Sequence, residues 1–324
     1  MTINKYFGSG IIVLMILCVN SIWAQQDPQY TQYMYNTQVV NPGYVASKLH
    51  TSIGLLGRSQ WVNFEGAPQT GTLTYSTPLG QLENMGIGFS LVHDEIGPSV
   101  ETNLTADYAY NLRMNENTQL AFGIKAGIDV LNVDFSKLNI PSEGQGDVFE
   151  VNIDRKLQPQ VGLGAYYFTD KFYAGISLPN MLRTKHFDSN SIDDIVSGQS
   201  GDSGATTASE ELHWFFISGY VFDLNNNLKF KPATMIKIVE GAPVQWDISA
   251  NFLIRERITL GTSYRLNAAV SAMAGFQVND GLFIGVGYDY QTTELETYSD
   301  GSYEVIFRFD IFKSVERIVA PRFF

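Results

Sequence analysis

Long segments in which apolar and polar residues alternate one by one are the main feature of this 324-residue chain. Within residues 120–129, Phe122 and Ile124 occupy even positions, whereas Lys125 and Asp129 occupy odd ones. Successive side chains of a β-strand point to opposite faces, so this period of two predicts a sheet with one apolar and one polar face. The same alternation recurs in residues 104–111, 244–252, 282–290 and 303–310.

Segment length decides between the two fold classes that share this pattern. A soluble sandwich alternates too, but its strands are usually about 5–6 residues long, whereas a tilted membrane crossing needs about 9–11. The segments here have the longer length, and several apolar faces end in aromatic residues such as Tyr110, Tyr290 and Phe309. We therefore predict an all-β fold, an outer-membrane antiparallel β-barrel.

The barrel is expected to have about fourteen strands. An even number returns both chain ends to the periplasm, as in other single-chain bacterial barrels. Short polar connections alternate with longer ones, and the two longest, near 131–156 and 179–213, are expected to face outside. Two connections fit this alternation less well: 79–84 is long for a periplasmic turn, and 266–267 is short for an external loop. The predicted strands are 52–61, 70–78, 85–93, 101–112, 118–130, 157–168, 172–178, 214–222, 228–239, 244–254, 258–265, 268–278, 282–290 and 302–310.

The first 24 residues read as a secretory signal peptide. Lys5 precedes an unbroken apolar run, Ile11–Val19, and Ala24 precedes a polar stretch. Cys18, the only cysteine, would leave with this segment, so we expect no disulfide and no thiolate metal site. Lys5 is also the only charge removed, which leaves 20 basic against 33 acidic residues, a formal net charge of −13. Such an acidic chain is a poor nucleic-acid binder.

Charged residues on the polar faces are predicted to point into the lumen. One interpretation is a lumen that binds or conducts a solute; the other is that a wide barrel interior is wet and accommodates any polar side chain. Both remain open from the sequence. The predicted lumen-facing charges are Asp107, Lys125, Asp129, Asp247, Arg265, Asp289, Glu304 and Arg308.

No arrangement typical of an active site or a metal site stands out. His93 and Asp94 are adjacent on a predicted strand, so they would point to opposite faces and would not form a catalytic pair. Residues 188–194 are rich in Asp, Asn and Ser but lack the central glycine and terminal glutamate of a calcium loop. The scattered histidines match no zinc spacing. We expect no enzymatic activity, no cofactor and no bound metal.

Two regions outside the barrel carry more specific sequences. Residues 25–50 precede the barrel (51–312), and a tail, 313–324, follows it; we interpret both as periplasmic segments or as plugs of the lumen. Residues 26–36 read Gln-Asp-Pro-Gln-Tyr-Thr-Gln-Tyr-Met-Tyr-Asn, residues 40–44 read Val-Asn-Pro-Gly-Tyr, and the chain closes with Ala-Pro-Arg-Phe-Phe. These motifs resemble those of the PorP/SprF family of type IX secretion membrane proteins, and the resemblance extends, in order, over essentially the whole mature chain.

The resemblance implies an outer-membrane component of type IX secretion or gliding. Its implied partners are the lipid bilayer, the translocon or periplasmic ring components, and a secreted adhesin-like protein recognised through its C-terminal export domain. Aromatic side chains suit such contacts because they are rigid apolar anchors, but they would equally brace a plugged lumen. The candidate partner-binding residues are Tyr30, Tyr33, Tyr35, Tyr44, Trp61, Phe323 and Phe324. The alternative function is a diffusive or solute-specific porin.

Overall fold

The computed structural model describes residues 28–80, 84–137, 152–182 and 211–312. The predicted signal peptide (1–24), the tail 313–324 with Phe323 and Phe324, and most of the two long external loops lie outside the described residues.

The described residues form one closed antiparallel sheet of fifteen strand segments. In chain order these are β1 (Thr51–Ser59), β2 (Gln69–Leu79), β3 (Met85–Ile96), β4 (Ser99–Asn115), β5 (Thr118–Val133), β6 (Ile153–Phe168), β7 (Phe172–Leu178), β8 (His213–Tyr220), β9 (Phe222–Asn225), β10 (Leu228–Val239), β11 (Gln245–Ile254), β12 (Ile258–Arg265), β13 (Ala269–Gln277), β14 (Leu282–Gln291) and β15 (Ser302–Ile311).

The fifteen segments make fourteen barrel strands, which confirms the predicted number. Segments β8 and β9 both pair with β10 and are separated only by Val221, so they are two parts of one strand. The barrel closes where the first strand meets the last, because β1 pairs with β15 from Thr51↔Ile311 to Ser59↔Tyr303. Each other strand pairs with its neighbours in sequence, the simplest arrangement for a chain that crosses a membrane repeatedly.

The longest strands extend beyond their predicted ends. Strands β4, β5 and β6 contain 17, 16 and 16 residues, more than a membrane crossing requires. Outside the membrane the ladder continues to the pair Val133↔Ile153, where Leu131, Val133 and Phe135 form a small apolar cluster with Ile153. This cluster explains why part of the predicted loop 131–156 is strand instead.

The two faces of the wall have opposite chemistry. The outward-pointing Phe122 and Ile124 are 51% and 55% exposed, whereas the inward-pointing Lys125 between such positions is 2% exposed. An apolar outer surface of this kind is stable only against lipid, and a polar inner surface only against water or other polar groups. Among the residues that the structure describes, no helix is long and apolar enough to cross a bilayer.

The N-terminal segment, residues 28–50, lies inside the barrel. It forms three short helical turns, Tyr33–Tyr35, Thr37–Val40 and Pro42–Ala46, most of whose residues are buried. The contacts that bury these residues come from strands distant in sequence. For example, Tyr33 Oη lies 3.2 Å from Ser249 Oγ. The structure thus places these residues against the inner wall; that they seal the lumen against solutes stays a prediction.

The segment runs from one end of the barrel to the other. Short connections such as 116–117 and 226–227 mark the periplasmic end, where β1 also begins. Gln29 contacts Gln245 and Arg265, which lie at the opposite, outer ends of β11 and β12. Lys48 contacts Ser52 at the periplasmic start of β1. The chain therefore descends through the lumen from the outer half to the periplasmic mouth.

Candidate functional site

All eight charges predicted to face the lumen do point into the barrel interior and are buried. Two ion pairs join neighbouring strands: Lys125 Nζ lies 2.8 Å from Asp107 Oδ1, and Arg265 Nε lies 2.7 Å from Asp247 Oδ1. Arg308 Nε lies 3.0 Å from Asp310 Oδ2 on its own strand. A buried charge without a partner would be costly, so this pairing is what makes the charged wall compatible with burial.

Arg58 is the most connected of the lumen charges, and it was missing from the predicted set. Its Nη2 lies 2.7 Å from Asp289 Oδ2, and its Nη1 lies 3.3 Å from Glu304 Oε2. The alternation of β1 contained the signal, because Ile53 and Leu55 occupy the outward odd positions and position 58 therefore faces inward.

The same charged group holds the start of the N-terminal segment. Thr31 Oγ1 lies 2.6 Å from Asp289 Oδ1 and 2.5 Å from Arg58 Nη1. Glu304 accepts hydrogen bonds from the backbone N–H groups of Thr31, at 2.9 Å, and of Gln32, at 2.8 Å. Hydrogen bonds to ionised groups are the stronger class, so this short stretch is firmly positioned.

A second arginine binds the residues just before. Arg265 donates from Nη1 to Gln29 Oε1 at 3.0 Å and from Nη2 to the carbonyl of Tyr30 at 3.4 Å. We call Arg58, Arg265, Asp289 and Glu304 the outer latch, because all four lie near the outer ends of their strands and together hold residues 29–32.

The lower part of the segment is held mainly by close packing. Backbone atoms of residues 42–46 press directly against strand glycines: a Cβ added at Gly86 would overlap the carbonyl of Val45, and one added at Gly123 would overlap the backbone at Gly43. Asn41 Nδ2 donates to the carbonyl of Ala165 at 3.1 Å. We call Gly86, Gly123 and Gly164 the glycine floor, since each leaves the space that the segment fills.

An aromatic ring fixes the middle of the segment. The ring of Tyr35 has Lys231 Nζ at 5.6 Å and the guanidinium of Arg308 at 5.6 Å from its centroid. It also packs on Phe283, with 4.8 Å between ring centroids. Basic side chains on the face of an aromatic ring are attracted by the ring, so these contacts help to hold Tyr35 in place.

The predicted partner-binding aromatics fall into three groups. Tyr30, Tyr33 and Tyr44 are buried, and Tyr35 is half-buried, all within the lumen. Trp61 lies at the outer rim, and Phe323 and Phe324 lie outside the described residues. In this conformation the four tyrosines contact their own barrel, so their role in binding a partner stays a prediction.

The outer rim around Trp61 is a connected structure. The loop 60–68 between β1 and β2 pairs with the loop before β15, since Val62 N donates to Gly301 O at 2.9 Å and Asp300 N donates to Val62 O at 2.9 Å. It also contacts the β3–β4 turn, where Gly97 N donates to Gly66 O at 3.0 Å. Phe64, 44% exposed, projects from this loop toward solvent.

A neighbouring turn of the outer rim is fixed by its own polar groups. After β5, the carboxylate of Asp134 accepts hydrogen bonds from the hydroxyl of Ser136 at 2.6 Å and from Asn152 Nδ2 at 3.1 Å. The hydrogen bond from the Ser136 side chain is the main reason that the pKa of this carboxyl lies below its usual range. The external ends of β5 and β6 are thus joined by side chains as well as by the ladder.

The described residues contain no arrangement that suggests catalysis. His93 is exposed on the outer face and contacts Thr102 Oγ1 at 2.8 Å, whereas Asp94 is buried on the inner face and accepts from Thr70 at 2.5 Å. In the part of the chain that the structure describes, no three His, Cys, Asp or Glu residues cluster as metal ligands. Residues 188–194 lie outside it.

Comparison with known proteins assigns the chain to a family. A family model described as "Type IX secretion system membrane protein PorP/SprF" matches residues 22–309, which is most of the chain. The chain belongs to the PorP/SprF family. The motifs of residues 26–44 and the described barrel up to residue 309 fall within the matched region. This PorP/SprF protein is therefore an outer-membrane component of type IX secretion.

Solved structures similar to this PorP/SprF protein include an outer membrane protein and a toluene transporter. The Acinetobacter baumannii outer membrane protein Omp33 shares 9% identity at a TM-score of 0.45, over 81% of this chain and 99% of that one. The Pseudomonas putida toluene transporter TodX shares 11% identity at a TM-score of 0.47, over 87% and 94%. Comparison with curated proteins gives no significant match.

Proposed function

We propose that this PorP/SprF protein is a non-enzymatic accessory protein of the outer membrane that binds another protein. It binds a secreted adhesin-like protein through the C-terminal export domain of that protein, and it helps to export the protein or to anchor it at the cell surface. Its other partners in this proposal are the translocon or the periplasmic ring components of the type IX system.

The observation that carries the proposal is the occupied lumen. Residues 28–50 cross the interior, with Thr31 hydrogen-bonded to the wall near the outer end and Gly43 packed on the wall lower down. A barrel filled in this way is poorly suited to passing solutes, and what it presents to other proteins is its two rims. The outer rim supports the proposal further. Its loop 60–68 is hydrogen-bonded to two neighbouring loops, so it loses little conformational entropy when a partner binds.

The first experiment deletes the gene and follows exported proteins. We expect one adhesin-like protein to be lost from the surface of intact cells, measured by its accessibility to added protease, while other exported proteins remain. Normal surface levels of every exported protein would contradict the proposal.

The second experiment purifies the tagged protein from detergent-solubilised outer membrane and identifies what co-purifies. A double substitution at the outer rim, W61A with F64A, should reduce recovery of the cargo, because aromatic side chains carry much of the binding energy at protein interfaces. The matched control is L224A, which removes a side chain of comparable exposure, 53%, near the periplasmic end. Equal recovery from both variants would place the contact elsewhere than this rim.

The alternative function, a diffusive or solute-specific porin, makes a different prediction. A porin gives steady conductance in planar bilayers, whereas in the proposed accessory protein the lumen stays closed by the N-terminal segment. Steady conductance of the unmodified protein, together with unchanged export after gene deletion, would favour the porin.

A further inference from the structure

We propose that residues 28–50 form a hinged plug that is latched at the outer end of the barrel and fixed at the periplasmic end, so that it opens toward the cell exterior. This inference concerns how the lumen is closed and does not depend on which protein is bound.

The outer end of the plug is buried, but the contacts that hold it to the outer latch are polar. Hydrogen bonds join Thr31 and Gln32 to the outer latch: the Thr31 hydroxyl reaches Asp289 at 2.6 Å, and two backbone N–H groups reach Glu304. If these bonds open, Arg58 still pairs with Asp289 at 2.7 Å and with Glu304 at 3.3 Å. The wall charges therefore keep partners in both states, and release leaves no isolated ion in the wall.

The lower end is held by shape. Residues 42–46 occupy the space above the glycine floor, and Val45 and Ala46 are 0% and 2% exposed. Tyr44 packs edge-on against Tyr166, with ring centroids 5.5 Å apart. Withdrawal of this part would expose apolar surface and leave a void along several strands, and close-packed interiors resist both changes.

The chain itself completes the hinge. At the periplasmic mouth Lys48 Nζ donates to Ser52 Oγ at 3.1 Å, and His50 Nε2 lies 3.2 Å from Asp310 Oδ1. Immediately afterwards the backbone enters the ladder of β1 at Thr51, which pairs with Ile311. Covalent continuity and packing both fix the lower end, so residues 28–32 are the end able to move first.

The test uses single-cysteine reporters, which this chain permits because its only cysteine, Cys18, lies in the predicted signal peptide. A maleimide too large to cross the outer membrane is added to intact cells that carry Q29C or A46C in the full-length protein. The latch variant is T31V, which removes the hydroxyl bonded to Arg58 and Asp289 without changing the wall. The matched control is T37V, whose hydroxyl donates only within the segment, to Tyr33 O at 3.3 Å and Met34 O at 3.4 Å.

We expect T31V to speed labelling at Q29C over T37V by roughly ten- to a hundredfold, the population change that the loss of hydrogen bonds to charged groups produces. Labelling at A46C should stay slow in both. Folding is checked in each variant by the heat-dependent migration of the barrel on gels. Unchanged labelling at Q29C in a folded T31V barrel, or labelling at A46C as fast as at Q29C, would overturn the inference.

A disulfide at the lower end gives an independent measurement. A Cβ built at Gly88 lies 2.7 Å from Val45 Cγ1, so V45C with G88C places a sulfur within bonding reach of its partner. With this pair oxidised, T31V should still speed labelling at Q29C by the same factor, because the hinge does not need to move. Loss of that effect on oxidation would show that the whole segment must leave, contrary to the hinge.

Discussion

Arg58 of β1 reaches across the intervening strand β15 to Asp289 of β14, with Nη2 2.7 Å from Oδ2. Both side chains are at most 1% exposed. Glu304, on the strand between them, accepts from the same guanidinium. The Arg58 side chain thus connects β14, β15 and β1, the strands that lie where the barrel closes. The N-terminal segment is bound at the same place.

Removal of the Arg58 charge should destabilise the barrel strongly. We expect R58M to lower the free energy of unfolding by about 3–5 kcal/mol, because it leaves two buried carboxylates without their cation. The measurement is urea unfolding of the refolded barrel in lipid vesicles, followed by tryptophan fluorescence. The control is K171M, which breaks the half-exposed pair of Lys171 and Asp223 (2.7 Å) and should change stability far less, because solvent screens an exposed ion pair. Equal costs would contradict the role given to Arg58.

For the buried pair Lys125 and Asp107, removing one charge should cost more stability than removing both. Both side chains are at most 2% exposed, so K125M alone strands a carboxylate and is expected to cost about 3–5 kcal/mol. The double variant K125M with D107L removes both charges and should recover most of that loss. A double-mutant cycle by the same unfolding assay measures the coupling; additive single effects would show that the two groups do not interact.

Gly86 should tolerate no side chain while the segment is in place. G86A adds a methyl group that overlaps the carbonyl of Val45, and we expect a cost of about 1–3 kcal/mol from forced displacement. The matched control is G71A, also on a strand, where the added Cβ meets no heavy atom within 4 Å. If thermal unfolding shows the two variants to be equally stable, residues 42–46 do not rest on this wall.

The outward face should behave as a lipid-facing surface. Ile124, 55% exposed and near the middle of its membrane crossing, becomes costly to replace by arginine: I124R is expected to lose about 2–4 kcal/mol in lipid vesicles. F64R, in an external loop, should change stability by less than about 0.5 kcal/mol. A small effect of I124R would indicate that this face does not contact lipid.

The sequence predicted the barrel well because the signal is local. Period-two alternation decides which residues of a strand point outward, and Phe122 and Lys125 follow it without exception in the segment that contains them. The same alternation places Arg58 in the lumen, since Ile53 and Leu55 occupy the outward odd positions of its strand. The extra length of β5 was missed because its last residues pack on Phe135 and Ile153 outside the membrane, a contact between separate segments.

The site was harder to predict, because its contacts join distant parts of the chain. Thr31 and Asp289 are 258 positions apart, and nothing in the local sequence of either indicates the other. The sequence motifs of residues 26–44 identified the family, yet they left open whether the tyrosines were available to a partner or enclosed by the barrel. The structure encloses Tyr30, Tyr33 and Tyr44 in the lumen.

By itself, the sequence determined the strands, their two faces, their number and the family, since alternation and motifs are properties of neighbouring residues. Only the tertiary structure decided that residues 28–50 lie inside the barrel, that Arg58 is the centre of the buried charges, and that the two ends of the segment are held differently. Those features depend on closure of the sheet, which brings β1, β14 and β15 together and creates an interior that the chain fills with its own N-terminal residues.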